Sequence, residues 1–298
     1  MRTSPPRQAD VGAAKGTAMI TRETRQTIVS HFEELDFWQP LWQKSALVIA
    51  GSAARGIEDE FTDIDISAFV PSSSYAGLYE HYVKAVEDQR IEVLDPAAFE
   101  YKEFPLALIP AITGHYEVHT FEEAEDRVAR HDDVAMWIHR NSLALHDPSG
   151  RYAKLQKKAS DYPEEVWRER VRFHYLEAWM AASAASNPLR RNDRPAVTLT
   201  MTKCLRHLLR LCCLLDRRPF PYDKWLYREA LQTQAGRDLK HVFDRFFAEI
   251  SRPEIQRIVP DSYERPGHRN ADLEEFPLYM IWRQAKRYFD ERLPGRTA

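Results

Sequence analysis

Residues 49–70 read IAGSAARGIEDEFTDIDISAFV. The stretch holds a Gly-Ser pair (Gly51, Ser52), a polar connection, and two aspartates separated by one isoleucine (Asp63, Ile64, Asp65). An apolar run, SALVIAG from Ser45, ends at the glycine, which reads as a buried strand. DIDISAFV alternates and then turns apolar, which reads as a second strand. Side chains two apart on a strand share a face, so Asp63 and Asp65 stand side by side while Ile64 and Ile66 point the other way, into a core. Two adjacent carboxylates repel, and something must offset that cost.

A divalent cation is one solution. Mg2+ takes hard oxygen ligands and is commonly held by one or two carboxylates together with substrate phosphates. The Gly51-Ser52 turn follows its strand directly and can offer backbone N–H groups and a hydroxyl to phosphate oxygens. Arg55 adds a positive charge. A phosphate-holding turn beside a metal-holding strand is the equipment of nucleotidyl transfer.

Outward from this stretch, the chain of 298 residues has room for two cores. Residues 1–18 are small, polar and interrupted by Pro and Gly, and predict a disordered tail. A helix is predicted in TRETRQTIVSHFEELDFW, with start signals at Thr21, Glu23 and Thr24, and another in SSSYAGLYEHYVKAVED, opened by serine caps. PLALIPAITGHYEVHTF predicts one or two strands about Gly114. From residue 122 the period is helical almost without break, through DDVAMWIHRNSLAL and on past HDPSG at 146–150. These signals predict an α+β protein: residues 19–150 as a mixed sheet flanked by helices, and residues 151–298 as an all-helical domain.

Composition bounds the partners. A net charge of -3 argues against broad nucleic-acid binding, and no run approaches the length of a membrane helix. Without a signal-like leader, and with Cys204, Cys212 and Cys213 reading as reduced core thiols, the expected location is the cytoplasm. No phosphate loop of the G-x-x-x-x-G-K-[ST] type, dinucleotide fingerprint or nucleophile elbow is present.

The pattern Gly51-Ser52, ten residues, then Asp63-Ile64-Asp65 resembles the core motif of the polymerase-β-like nucleotidyltransferase superfamily. The run YEVHTF, followed by helical residues and LALHDPSG, looks like the corresponding region of lincosamide and aminoglycoside nucleotidyltransferases. The resemblance covers residues 19–150 in motif order. It implies a nucleotidyltransferase domain and a helical domain that closes on substrate. It also implies a third carboxylate on a later strand, acting as general base on an acceptor hydroxyl. Glu117 is the preferred candidate and Glu92, in RIEVLD, the competitor.

On this reading Asp63 and Asp65 ligate Mg2+, and Gly51, Ser52 and Arg55 hold the phosphates of an NTP, expected to be ATP. The acceptor is expected to be a hydroxyl-bearing small molecule such as an antibiotic, with a resistance role. Two rivals stand beside it: transfer to a protein or tRNA, and a catalytically silent binding protein on the same fold. RRPFPYDKWLYREAL resembles a segment of bacterial nucleotidyltransferase helical domains, and its Lys224 is a further candidate for the triphosphate beside a plain surface role. His115, His119 and His131 lack zinc spacing and read as surface or core histidines. The basic run NPLRRNDR reads as a solvated loop.

Overall fold

The structure, a computed structural model, describes residues 20–56, 62–191, 193–250 and 277–293. The expected tail at 1–18 and the middle of the Gly51–Asp63 connection lie outside the described residues. The chain forms two compact units, one built from residues up to 126 together with 138–156, the other from 127–137 together with 157 onward.

The first unit is built on a mixed five-stranded sheet. Its strands are β1 (Ala46–Ile49), β2 (Ile64–Val70), β3 (Ala107–Leu108), β4 (Gly114–Thr120) and β5 (Leu143–His146). Their order in the sheet is β3-β4-β2-β1-β5, with β2 and β4 parallel and the other pairs antiparallel. Among the described residues, five α-helices belong wholly or partly to this unit: α1 (Arg22–Glu34), α2 (Ser72–Glu87), α3 (Phe121–Ala129), α4 (Asp133–Asn141) and α5 (Arg151–Lys158).

Alternation decides the two faces of the sheet. Leu47, Ile49, Ile64, Ile66, Ala68, Val70, Tyr116 and Val118 turn to one side. There they form a core with Ile28 and Phe32 of α1 and Leu78, Tyr82 and Ala85 of α2. Phe32 makes an edge contact with Tyr116 at 4.8 Å between ring centroids, so α1 packs directly on β4. The start of α1 is fixed as the sequence predicts, by Thr21 Oγ1 accepting from the Thr24 amide at 3.0 Å.

Two local expectations fail. Residues 143–146 are the edge strand β5, although the sequence reads as helical through them. Four residues are too few for a period to separate strand from helix, and tertiary contacts decide. Here β1 supplies the ladder, and His146 stacks on Trp42 at 3.7 Å with its Nε2 2.8 Å from the Trp42 carbonyl. The start of α2 is not capped by its own serines, because Pro71 takes the N-cap position. Glu122 of α3 caps it instead, accepting from both the amide and the hydroxyl of Ser72 at 2.8 Å. Arg151 bridges Glu122 and Glu125 on the other side.

The second unit is helical. Its long helices are α6 (Glu164–Ala184) and α8 (Arg194–Leu215), with α7 (Ser186–Arg190) between them. They are followed by α9 (Asp223–Ala230), α10 (Gln234–Asp238), α11 (Lys240–Ile250) and α12 (Pro277–Asp290). Trp167 on α6 donates its indole N–H to the Leu214 carbonyl of α8 at 2.6 Å. The buried imidazoles of His174 and His207 meet between the same two helices, Nδ1 to Nδ1 at 2.7 Å. All three cysteines are buried and free, and burial pushes each thiol up. Among the described residues no helix is long and apolar enough to cross a membrane.

Candidate functional site

The second face of the sheet carries the candidate site residues. In the parallel β2–β4 ladder Asp65 stands opposite His115, and Ser67 opposite Glu117. Paired residues in a ladder share a face, so Asp63, Asp65, Ser67, His115, Glu117 and His119 form one polar strip. The far end of the strip is closed by Phe69, which packs on Phe121, His139 and Tyr152.

At the open end, His115 reaches both acids. Its Nδ1 lies 3.5 Å from Asp63 Oδ2 and its Nε2 3.2 Å from Asp65 Oδ1. The Asp65 carboxylate holds the His115 imidazole above its ordinary pKa against the effect of burial, and the charges of Asp63 and Glu117 add to this. One donor atom from each of Asp63, Asp65 and His115 falls within 4.8 Å of the others, a set that suits a divalent cation. The imidazole is 17% exposed, against 53% and 42% for the two carboxylates, so it forms the floor and the acids the open wall.

The Gly51-Ser52 turn closes against the same carboxylate. The Ala50 amide donates to the Asp65 carbonyl at 2.8 Å, carrying the β1–β2 ladder one step past Ile49. Gly51 follows with φ +67°, in the left-handed region. A Cβ built there would sit 2.2 Å from Asp65 Oδ2. Only glycine fits, both for the backbone and for the room Asp65 occupies. Ser52 then leads into a short 3-10 turn, Ala53–Arg55, ended by Gly56 at φ +63°. Ser52 and Arg55 are both partly buried in this turn.

Of the two candidates for a third acid, Glu117 stands on β4, next to β2 and on the acidic face. Glu92 lies outside the strands, where its carbonyl accepts from the Leu108 amide beyond β3 at the sheet edge. Glu117 Oε1 lies 2.9 Å from His119 Nε2 and accepts from the Ser67 hydroxyl at 3.4 Å. Burial pushes its carboxyl up, but the hydrogen bond and charge of His119 outweigh that and hold it below the ordinary value. Lys224 is an exposed residue of α9 in the second unit, its Nζ 5.6 Å from the ring centroid of Trp225.

His115 is the candidate site residue that the sequence reading passes over. Zinc rules count along the chain, whereas this candidate set is gathered across a ladder. The signal was present in the alternation of GHYEVHT: whatever face Glu117 takes, His115 and His119 take too.

Among proteins of known sequence family, residues 128–226 match a family described as a domain of unknown function (DUF4037). No curated protein matches the chain. Among solved structures, the chain is similar to a nucleotidyltransferase-like protein from Exiguobacterium sibiricum 255-15, with a TM-score of 0.46 and 9% identity over 89% of this chain and 75% of that one.

Proposed function

We propose that this chain is a divalent-cation-dependent nucleotidyltransferase that moves an NMP from an NTP to a hydroxyl group, releasing pyrophosphate. One observation carries the reading: Asp63 and Asp65 share a sheet face, and a glycine-serine turn closes on Asp65 so tightly that no Cβ fits. A cation bound at these acids would neutralise phosphate charge and stabilise the attacking and leaving oxygens.

The chain's own residues do the remainder. Asp63 and Asp65 hold the cation, for which Mg2+ is the reference because it pairs readily with carboxylates and phosphates. Gly51 and Ser52 present backbone N–H groups and a hydroxyl to the phosphates, and Arg55 adds positive charge beside them. Glu117 stands further along the same face as the carboxylate that takes the proton of the acceptor hydroxyl. His119 and Ser67 fix its orientation. The nucleotide is ATP and the acceptor a cationic, hydroxylated small molecule of the aminoglycoside or lincosamide kind. The net charge of -3 supports that choice of acceptor.

Pyrophosphate release with each NTP, against a panel of hydroxylated antibiotics, tests the reading. Asp63→Asn is expected to abolish release while leaving the thermal melt in place. Full transfer by that variant refutes the assignment, and a mass shift on a protein or tRNA in place of the small molecule refutes the acceptor.

A further inference from the structure

The third member of the cation site is an imidazole, and that changes which ion the site prefers. We propose that the site selects a nitrogen-tolerant first-row divalent ion, of the Mn2+ to Zn2+ group, over Mg2+, with His115 as its third protein ligand. The proposal rests on the cation site of the function proposed above and goes further by naming the class of ion.

Three observations support it. First, the position of His115 is set by the backbone. The β2–β4 register places it directly opposite Asp65, and its side chain is mostly enclosed. Second, the donors are already gathered. Ligands about 2.0–2.2 Å from a first-row ion lie up to roughly 4.3 Å apart across it, and the three donors here fall within 4.8 Å of one another. Third, each ring nitrogen faces a carboxylate, at 3.5 and 3.2 Å. Either nitrogen is therefore placed to join an ion that the two acids hold.

Mg2+ favours oxygen donors in near-ideal octahedral geometry, whereas imidazole suits the later first-row ions, whose affinities rise from Mn2+ toward Cu2+. A carboxylate at position 115 would leave an all-oxygen site. The histidine shifts the balance away from Mg2+.

The test uses Mn2+ and Mg2+ alone on the full chain. Mn2+ binding is followed by electron paramagnetic resonance, with echo modulation to detect a directly bound nitrogen, and Mg2+ is added as competitor. The wild type is expected to bind Mn2+ at least about tenfold more tightly than Mg2+, with clear 14N modulation. His115→Asn is expected to lose the modulation and most of the Mn2+ affinity. His115→Asp is expected to bring the Mn2+/Mg2+ ratio toward unity while keeping a site, so that a folding defect and a lost ligand separate. Circular-dichroism melts accompany both variants.

Mn2+ binding without nitrogen modulation overturns the proposal, as does an unchanged ratio in His115→Asp. Tighter metal binding by His115→Asn also overturns it, since that would make His115 a built-in cation that competes with the metal. Nitrogen-bound Mn2+ without nucleotidyl transfer upholds the ion preference and refutes the proposed reaction. Mg2+-driven transfer with no nitrogen signal does the reverse.

Discussion

Replacing Gly51 by alanine probes the site through its narrowest contact. Two costs separate cleanly, because the neighbouring Gly56 shares one and lacks the other. Both glycines lie in the left-handed region, at φ +67° and +63°. An alanine there costs about 1–2 kcal/mol in backbone energy. At Gly56 nothing lies within 4 Å of an added Cβ, so Gly56→Ala pays that cost alone. At Gly51 the Cβ lands 2.2 Å from Asp65 Oδ2, where ordinary contact begins at 3.4 Å, so the carboxylate must withdraw by the 1.2 Å difference. Metal–ligand bonds tolerate about 0.2 Å, so a displacement of that size removes Asp65 as a ligand in its present pose. Loss of a ligand lowers metal affinity by at least the roughly 10- to 100-fold that loss of an outer-shell partner costs. Calorimetric Mn2+ titration, with denaturant melts, measures both terms. The expected result is a similar loss of stability in the two variants and a loss of Mn2+ affinity only in Gly51→Ala. Wild-type affinity in Gly51→Ala, or an equal loss in Gly56→Ala, refutes the account of the turn.

Other perturbations follow from the same structure. At Gly236 an added Cβ would sit 1.9 Å from the Ala230 carbonyl oxygen, which is backbone and cannot swing aside. Gly236→Ala should therefore lower the unfolding free energy by about 3 kcal/mol in denaturant melts, with Mn2+ affinity per folded molecule unchanged. Glu122→Gln weakens the cap of α2, at about 1 kcal/mol by unfolding at neutral pH. Burial pushes the Glu122 carboxyl up, yet the hydrogen bonds from Ser72 and Arg151 prevail and hold it at about 2, below the 4.5 of a free glutamate. Its contribution is thus complete above pH 4.5 and is lost as pH falls through about 2, so wild type and variant should converge there. Burial lowers His174 to about 3, with the charges of His207, Arg210 and Arg170 adding to it, and lowers His207 to about 4, with Arg210 adding to it and Glu177 opposing. The unfolded chain takes up these protons below pH 6.5 and the folded chain does not, so stability should fall from there toward pH 4. The slope approaches about 1.4 kcal/mol per pH unit for each histidine. His174→Phe with His207→Leu should flatten that slope, and an unchanged slope would show that the pair is not held neutral.

How much of this was legible in the chain differs from element to element. The doublet Asp63/Asp65 and the glycine-serine turn were readable because strand alternation and turn chemistry are local rules, and β1 and β2 form where the apolar runs predict. β5 was not readable, because LALH becomes a strand only through the ladder of β1 and the stack of His146 on Trp42. The cap of α2 was hidden for a similar reason: its acceptor lies fifty positions away, on Glu122. His115 falls between these cases. Its face follows from alternation, but its meeting with Asp65 depends on the parallel register, which no local pattern specifies.

That register also sets an order of assembly. β2 is bonded on both edges, and the two edges close over unequal lengths of chain. Residues 50–63 suffice to bring β1 and β2 together, which seats Gly51 against Asp65. Residues 71–113, including all of α2, must be arranged before β4 can dock and deliver His115. Short closures cost less entropy and form sooner. The acid pair is therefore the first part of the site to exist and the imidazole the last. Pulse-labelled hydrogen exchange during refolding should find the Ala50 amide protected before the amides of β4.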